Sequence, residues 1–315
     1  MPSIVQPIWL DDERSHDAID NRLAAGEITA EEAANLRKFA DDGYLIIDIG
    51  VSAADAADFD ANVNRLWREK PHNISFAWDS PPLRFSEADE AKQRRPRYRI
   101  HDMHSAFETA MRLYLDARLL RYADLILGEP AVATQSLYFE FGSQQGLHRD
   151  SIVVPTPIFG HLLASWIALE DIDPASGPLV FVPGSHKLPM YDFGGGQYVV
   201  AYTSFGEKEV RAAMQFHDEQ MARAGLVEKQ FLARRGQVLI WHSALLHGGA
   251  PPKDENRTRK SFVVHYSTRR NHPTRSTALF EGGRHNVWTT RQLLQRGNAF
   301  GFANPLDGEL EYVRG

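Results

Sequence analysis

The residues best suited to chemistry in this chain are histidines and carboxylates. Its 315 residues include thirteen His and no Cys. Disulfides, thiolate metal sites and cysteine nucleophiles are therefore excluded, and a catalytic metal has only His, Asp and Glu to bind. The stretch "QQGLHRDSIV" (144–153) sets His148 and Asp150 two positions apart, between apolar segments. On a strand, residues i and i+2 project from one face, so this imidazole and carboxylate can converge on one ion. A second histidine, His247, follows an apolar strand and precedes Gly248-Gly249, where backbone can turn sharply or approach a ligand closely. Two histidines and one carboxylate form the ligand set of non-haem Fe(II) oxygenases, which leaves three positions open for cosubstrate and O₂. His242, five residues before His247, is the rival second histidine. Arg259 opens another β-rich run, and a buried arginine can anchor a dicarboxylate through the parallel hydrogen bonds of its planar fork.

The elements that must position these residues have two textures. The first third reads as helix. Thr29 and Glu32 have capping-box spacing, Ala33, Leu36, Phe39 and Ala40 form an apolar stripe, and Gly43 fits a left-handed cap. "YLIIDI" (44–49) is a short strand, and Ser52 and Asp55 cap a helix carrying Phe59, Val63 and Leu66. A further helical stretch runs from about 105 to 127 and stops at Gly128. Beyond it come "AVATQSLYFEF", "LLASWIALEDI", "PLVFVPG", "QYVVAYT", "KQFLARR", "QVLIWHS" and "KSFVVHYS", punctuated by Gly, Pro, Asp and Ser and interrupted by one helix over 207–224. Many short strands at this spacing predict a mainly β sandwich or jelly roll with flanking helices. One domain over 1–315 is expected: a helical part to about 130, a β core over 131–267 and an extension over 268–315.

The net charge of −6 gives no basic signature for nucleic acid. The N-terminus turns acidic after ten residues with no basic start, and no window approaches the roughly 20 apolar residues that span a bilayer. The expectation is a soluble, cytoplasmic monomer or homodimer that acts on a small molecule, with no nucleic-acid or membrane partner. The run over 84–99 contains Arg84, Lys92, Arg94, Arg95, Arg97 and Arg99 beside Glu87, Asp89 and Glu90. It reads first as a solvated face and second as a mobile lid for an anionic substrate. "YDFGGGQY" (191–198) lacks both G-x-G-x-x-G and a Walker lysine, so it reads as a flexible segment near the site mouth. His101 and His104 read as exposed loop residues, His186 as structural or at the pocket rim, and His265 as core.

In order along the chain, "GLHRD", "LLASWIALEDIDPASGPLVFVPGSHK" and "LLHGGAPPKDENRTRKSFVVHY" resemble the phytanoyl-CoA dioxygenase family of Fe(II)/2-oxoglutarate oxygenases. "FADDGYLIIDIG" resembles the family's opening helix and strand, so the resemblance covers most of 35–267. It implies a double-stranded β-helix, a cupin-like jelly roll with iron at its mouth. It implies His148, Asp150 and His247 as iron ligands, the Gly-Gly after His247 setting it above His242. Arg259 matches the arginine that binds the distal carboxylate of 2-oxoglutarate, with Arg257 a rival because the spacing from His247 is one residue longer than in relatives. Trp166 falls beside the cosubstrate. Gly249 stands where relatives often have Ser, and Ser261 is a candidate substitute. Arg97, Arg99, Tyr138 and Gln145 are candidates for the substrate or the cosubstrate's C1 carboxylate.

The implied reaction consumes O₂ and 2-oxoglutarate, releases succinate and CO₂, and hydroxylates an unactivated C–H bond of a small polar or anionic metabolite. Desaturation or ring-forming oxidation is the alternative on the same scaffold. The intact Asp150 argues against halogenation, for which relatives carry a small residue there. A cupin-like isomerase, a dioxygenase without cosubstrate and a non-catalytic jelly-roll binding protein are competing readings, against which Arg259 and Trp166 stand. Substrate choice is expected in loops 70–104, 186–206 and 268–300.

Overall fold

Local capping builds the helical layer. In the computed structural model, which describes residues 4–71, 73–77, 83–154, 156, 158–198, 207–268, 271 and 292–303, Glu32 N–H donates to Thr29 Oγ1 (3.1 Å) and Thr29 N–H to the Glu32 carboxylate (2.8 Å). That reciprocal pair starts helix α2 (Ala30–Asp42), which packs on α1 (Ser15–Ala24) and ends at Gly43 with φ 78°. Ser52 and Asp55 start α3 (Ala53–Glu69) in the same way, and its Phe59, Val63, Leu66 and Trp67 are buried. The helix expected over 105–127 is two: α4 (Glu108–Tyr114) and α5 (Ala117–Leu127). Between them the Asp116 carboxylate accepts from the N–H groups of Arg118 (2.9 Å) and Leu119 (3.3 Å). A side chain that satisfies the orphan amides of a new helix ends the old one.

Ten strands carry the site: β1 (Tyr44–Asp48), β2 (Ser75–Ala77), β3 (Arg99–His101), β4 (Ala131–Phe139), β5 (Leu163–Ala168), β6 (Leu179–Phe181), β7 (Lys229–Phe231), β8 (Gln237–His242), β9 (His247–Gly249) and β10 (Ser261–Thr268). One large sheet runs β1-β8-β5-β10-β4-β3-β2 with antiparallel neighbours, and a small sheet runs β7-β6-β9. Phe139, Ala164, Trp166, Leu239, Trp241 and Val263 of the large sheet form one buried cluster with Leu179, Phe181 and Phe231 of the small one. That inter-sheet layer is the jelly-roll core.

The alternate residues of the large sheet, among them Tyr138, Leu163, Ile167, Val238, Ile240, Phe262 and Val264, face a second cluster built with the helices. The strands are therefore buried on both faces, which explains their continuous apolar runs. Helix α6 (Glu207–Ala224) falls where the sequence places it. Most of "QYVVAYT" lies outside the described residues, as does most of the 268–300 segment. The described part of that segment is not only loop, because Gln292–Arg296 and Ala299–Ala303 form a hairpin. Among the described residues, no helix is long and apolar enough to cross a membrane.

Candidate active site

Two histidines far apart in sequence meet across a pair of backbone hydrogen bonds. His148 N–H donates to His247 O (2.9 Å) and His247 N–H to His148 O (3.0 Å), so the residues are directly opposed and their ring centroids lie 4.4 Å apart. The approach needs the glycines that follow. A Cβ on Gly248 would lie 2.6 Å from Gln145 O, and one on Gly249 would lie 2.5 Å from Ser143 Oγ. His148 Nδ1 is 2.9 Å from Gly146 O and His247 Nδ1 is 3.0 Å from Leu245 O. A carbonyl only accepts, so both Nδ1 atoms carry the hydrogen and both Nε2 atoms are the ones left to face a metal.

Asp150 completes the group. Its Oδ1 lies 3.5 Å from His247 Nε2 and 3.9 Å from His148 Nε2, and the three ligand atoms all lie within 4.8 Å of one another. The pair His148/Asp150 is not on a continuous strand. Arg149 between them is extended (φ −116°, ψ 130°), but Asp150 opens a single helical turn to Val153. The one extended residue is enough to put both side chains on one side. Arg149 itself runs away from the triad, donating to Ser185 O (3.1 Å) and Leu188 O (3.3 Å). Burial and the neighbouring His247 push His148 down to about 4. Burial works to lift the Asp150 carboxyl, but His247 and His265 outweigh it and hold the group well below the carboxylate range. Burial likewise pulls His247 down, and the Asp150 charge outweighs that and raises it. The carboxylate is thus ionised and at least one imidazole is held neutral, the protonation a divalent cation requires.

The floor beneath is an ordered row of side chains. Register pairs Tyr44 with Trp241, Trp241 with Ala164, Ala164 with His265 and His265 with Gln135, across five strands. Next along the sheet stand Leu239, Trp166, Val263 and Leu137, and then Ala168, Ser261 and Phe139.

At that far end Arg259 is 2% exposed, and its guanidinium lies over the rings of Trp166 (5.6 Å) and Phe139 (5.7 Å). Its guanidinium makes one long hydrogen bond, Nη1 to Gly177 O at 3.4 Å. Arg259 Nε, Trp166 Nε1 and Ser261 Oγ are all buried with no hydrogen-bond partner among the described residues. Burial alone pulls the Arg259 guanidinium down to about 10. A buried cation among unpaired polar atoms is costly unless an anion completes it, so this end of the site fits a carboxylate. Arg257 is excluded from that position: it is half-exposed and pairs with Asp173 and Asp254. Where Gly249 lacks a side chain, the Ser143 hydroxyl fills the space.

The remaining candidates divide. Tyr138 is corrected: it pairs with Phe262 on the helix-facing side and stacks on Phe59 (6.0 Å), because it is one residue out of phase with Leu137 and Phe139. Arg97 is exposed at φ 82°, and the Gln145 side chain is exposed while its backbone carbonyl accepts from Gly249 N–H (2.9 Å). Arg99 is on the site side of β3, close enough to His148 to help lower it.

The exposed-loop reading of His101 and His104 is also corrected. His101 is buried in β3, opposite Leu137 on the site face, and burial pushes it down to about 3. His104 stacks on Tyr114 (3.6 Å) and shares a 2.7 Å hydrogen bond with Ser136 Oγ. His242 turns to the helices, with Nε2 3.6 Å from Asp11. His186 contacts Ala40 O (3.3 Å) and is structural. The basic run is no uniform solvated face, since Arg94 is fastened to Glu140 (2.9 and 3.0 Å) and Glu90. Trp241 and His265, which reach Asp150, were not legible as site residues. Their only signal is the period-two alternation that sets them on the face of Trp166.

Comparison with known proteins agrees with this geometry. The sequence model of one family, Phytanoyl-CoA dioxygenase (PhyH), matches residues 39–261. The peroxisomal phytanoyl-CoA dioxygenase of Mus musculus is 25% identical over 277 residues, 84% of this chain and 75% of its own. The crystal structure of EctD from S. alaskensis in its apoform superimposes with a TM-score of 0.58 at 21% identity, over 93% of this chain and 90% of that one. The epimerase SnoN in complex with Fe3+, alpha ketoglutarate and nogalamycin RO gives 0.56 at 20% identity, over 87% and 98%. These two structures share the jelly-roll fold with this chain.

Proposed function

The chain belongs to the phytanoyl-CoA dioxygenase family and is a 2-oxoglutarate-dependent non-haem iron oxygenase, and on that premise we propose that it hydroxylates an unactivated C–H bond of a small polar or anionic metabolite. The carrying observation is the pairing of a His-Asp-His cluster with a buried arginine that has no carboxylate partner among the described residues. In this reading His148 Nε2, Asp150 Oδ1 and His247 Nε2 hold Fe(II), and Arg259 binds the distal carboxylate of 2-oxoglutarate with Ser261 and Trp166 beside it. Bound iron supplies O₂ activation coupled to oxidative decarboxylation of the cosubstrate, with succinate and CO₂ as products.

The chain's own residues bind, orient and exclude water. The backbone carbonyls of Gly146 and Leu245 fix both histidine tautomers. Phe139 and Trp166 desolvate Arg259, so its charge acts on the cosubstrate in a dry, low-dielectric wall. Ser143 supplies the hydroxyl missing at Gly249. Arg99, on the site side of β3, supports an anionic substrate. Desaturation and ring-forming oxidation are the outcomes a product analysis would separate from hydroxylation. A small-molecule substrate, a single catalytic domain and a cytoplasmic monomer or homodimer complete the reading.

Anaerobic titration of the protein with Fe(II) and then 2-oxoglutarate tests it. A visible metal-to-ligand charge-transfer band is expected, and intact iron binding with no band would sink the cosubstrate assignment. Succinate formation against a metabolite panel then identifies the substrate.

A further inference from the structure

The inner oxygen of Asp150 faces the two histidines, and the outer one is held from behind. Trp241 Nε1–H donates to Asp150 Oδ2 at 2.9 Å, and His265 Nε2 lies 3.6 Å from the same oxygen. An indole is a donor only, so the direction of the first bond is fixed. The second distance is an electrostatic contact, longer than a hydrogen bond. Both side chains come from the row in which Ala164 stands between Trp241 on one strand and His265 on the other. The small side chain between two large ones leaves a notch, and the carboxylate that touches both flanks stands over it. All three side chains are buried: Trp241 is 3% exposed, His265 4% and Asp150 5%. Trp241 is further fixed by its ring against that of His247, at 4.7 Å between centroids.

A carboxylate can bind a metal through one oxygen or two, and binding through two would take a position that the cosubstrate or O₂ needs. We propose that Trp241 and His265 are positioning residues that hold Asp150 Oδ2 away from the metal side, so that Asp150 offers one oxygen and the site keeps its open positions. The proposal rests on the reading that the triad holds Fe(II). To rotate Oδ2 toward the histidines, a buried charge-assisted hydrogen bond would have to break. Trp241 carries most of the effect because it alone makes a hydrogen bond to this oxygen.

Four variants test this: Trp241→Phe, which keeps the ring against His247 and loses the donor, His265→Leu, His265→Gln, which restores a donor, and the double Trp241→Phe/His265→Leu. Isothermal titration with Fe(II), the position of the charge-transfer band and melting of the metal-free protein are read on each. Trp241→Phe is expected to weaken Fe(II) binding by about 10- to 100-fold, the usual effect of removing such a partner, and to shift the band. His265→Leu does the same more weakly and His265→Gln recovers most of it, while metal-free melting moves little. In the metal-free wild type, the Trp241 indole ¹H–¹⁵N resonance is expected to shift when Asp150 is changed to Ala. This measurement stands even if Trp241→Phe folds poorly. Wild-type iron affinity and an unshifted band in the double variant would overturn the proposal alone. A wild type that binds no Fe(II) would overturn the metal reading and this proposal with it.

Discussion

The two ends of the site are built on opposite terms. At the metal end every critical polar atom that does not face the ion position has a neighbour: both histidine Nδ1 atoms are on backbone carbonyls and Asp150 Oδ2 is on Trp241. At the other end Arg259 Nε, Trp166 Nε1 and Ser261 Oγ are buried without partners among the described residues. The first end is preorganised, with rotamers and tautomers set before an ion arrives. The second is incomplete as folded and lacks an anion that the described residues do not supply. On the proposed reading, the resident ion would meet a rigid cage, and the molecule consumed in each turnover a socket whose unsatisfied groups favour binding.

Breaking the rigid end has the largest expected effect. His148→Ala or Asp150→Ala should abolish turnover and Fe(II) binding together, measured by succinate release and titration. A His148→Ala enzyme with normal activity would overturn the site assignment. At the socket, Arg259→Leu should raise the 2-oxoglutarate requirement by about 10- to 100-fold, the scale of a lost charged hydrogen bond, with iron affinity unchanged. The same variant sharpens the contrast in a second way. Without 2-oxoglutarate its melting temperature should equal or exceed that of the wild type, because an uncompensated buried cation is removed. Adding 2-oxoglutarate should raise melting of the wild type and not of the variant.

Smaller effects follow. Gly248→Ala would set a Cβ 2.6 Å from Gln145 O, so the segment carrying Gln145 and His148 must shift. Weaker iron binding and a loss of about 1–3 kcal/mol in stability, typical of overpacking, are expected from denaturant melts. The smallest is a pH effect on the metal-free fold. Burial holds His101 and His186 each down to about 3, against about 6.5 in an unfolded chain. The unfolded state takes up these protons first, so the contribution is complete above about pH 6.5 and is lost as pH falls toward 3. Melting temperature should fall along that window, and His101→Gln should flatten part of the fall.

Much of this was legible in the residues themselves. The capping pairs Thr29/Glu32 and Ser52/Asp55 are local, and local hydrogen bonds obey sequence spacing. The β-rich runs were readable from composition and turn punctuation. In a chain without cysteine, His148, Asp150 and a later histidine stood out as a metal set, and the family resemblance set His247 above His242. Phase was harder. Tyr138 was misassigned because the run "SLYFEF" is apolar on both faces, and only pairing with Phe262 shows which side it takes. The break at Asp116 was hidden because the helical pattern is apolar on either side of it.

By itself, then, the sequence determined the elements, the ligand types and the family they resemble. What only the tertiary structure decided is who stands beside whom. Cross-strand register set Trp241 and His265 on either side of Ala164, buried His101, and put the Ser143 hydroxyl where Gly249 has nothing. Those contacts join strands that are distant in sequence, and burial and register are properties of the assembled sheets, which no local spacing encodes.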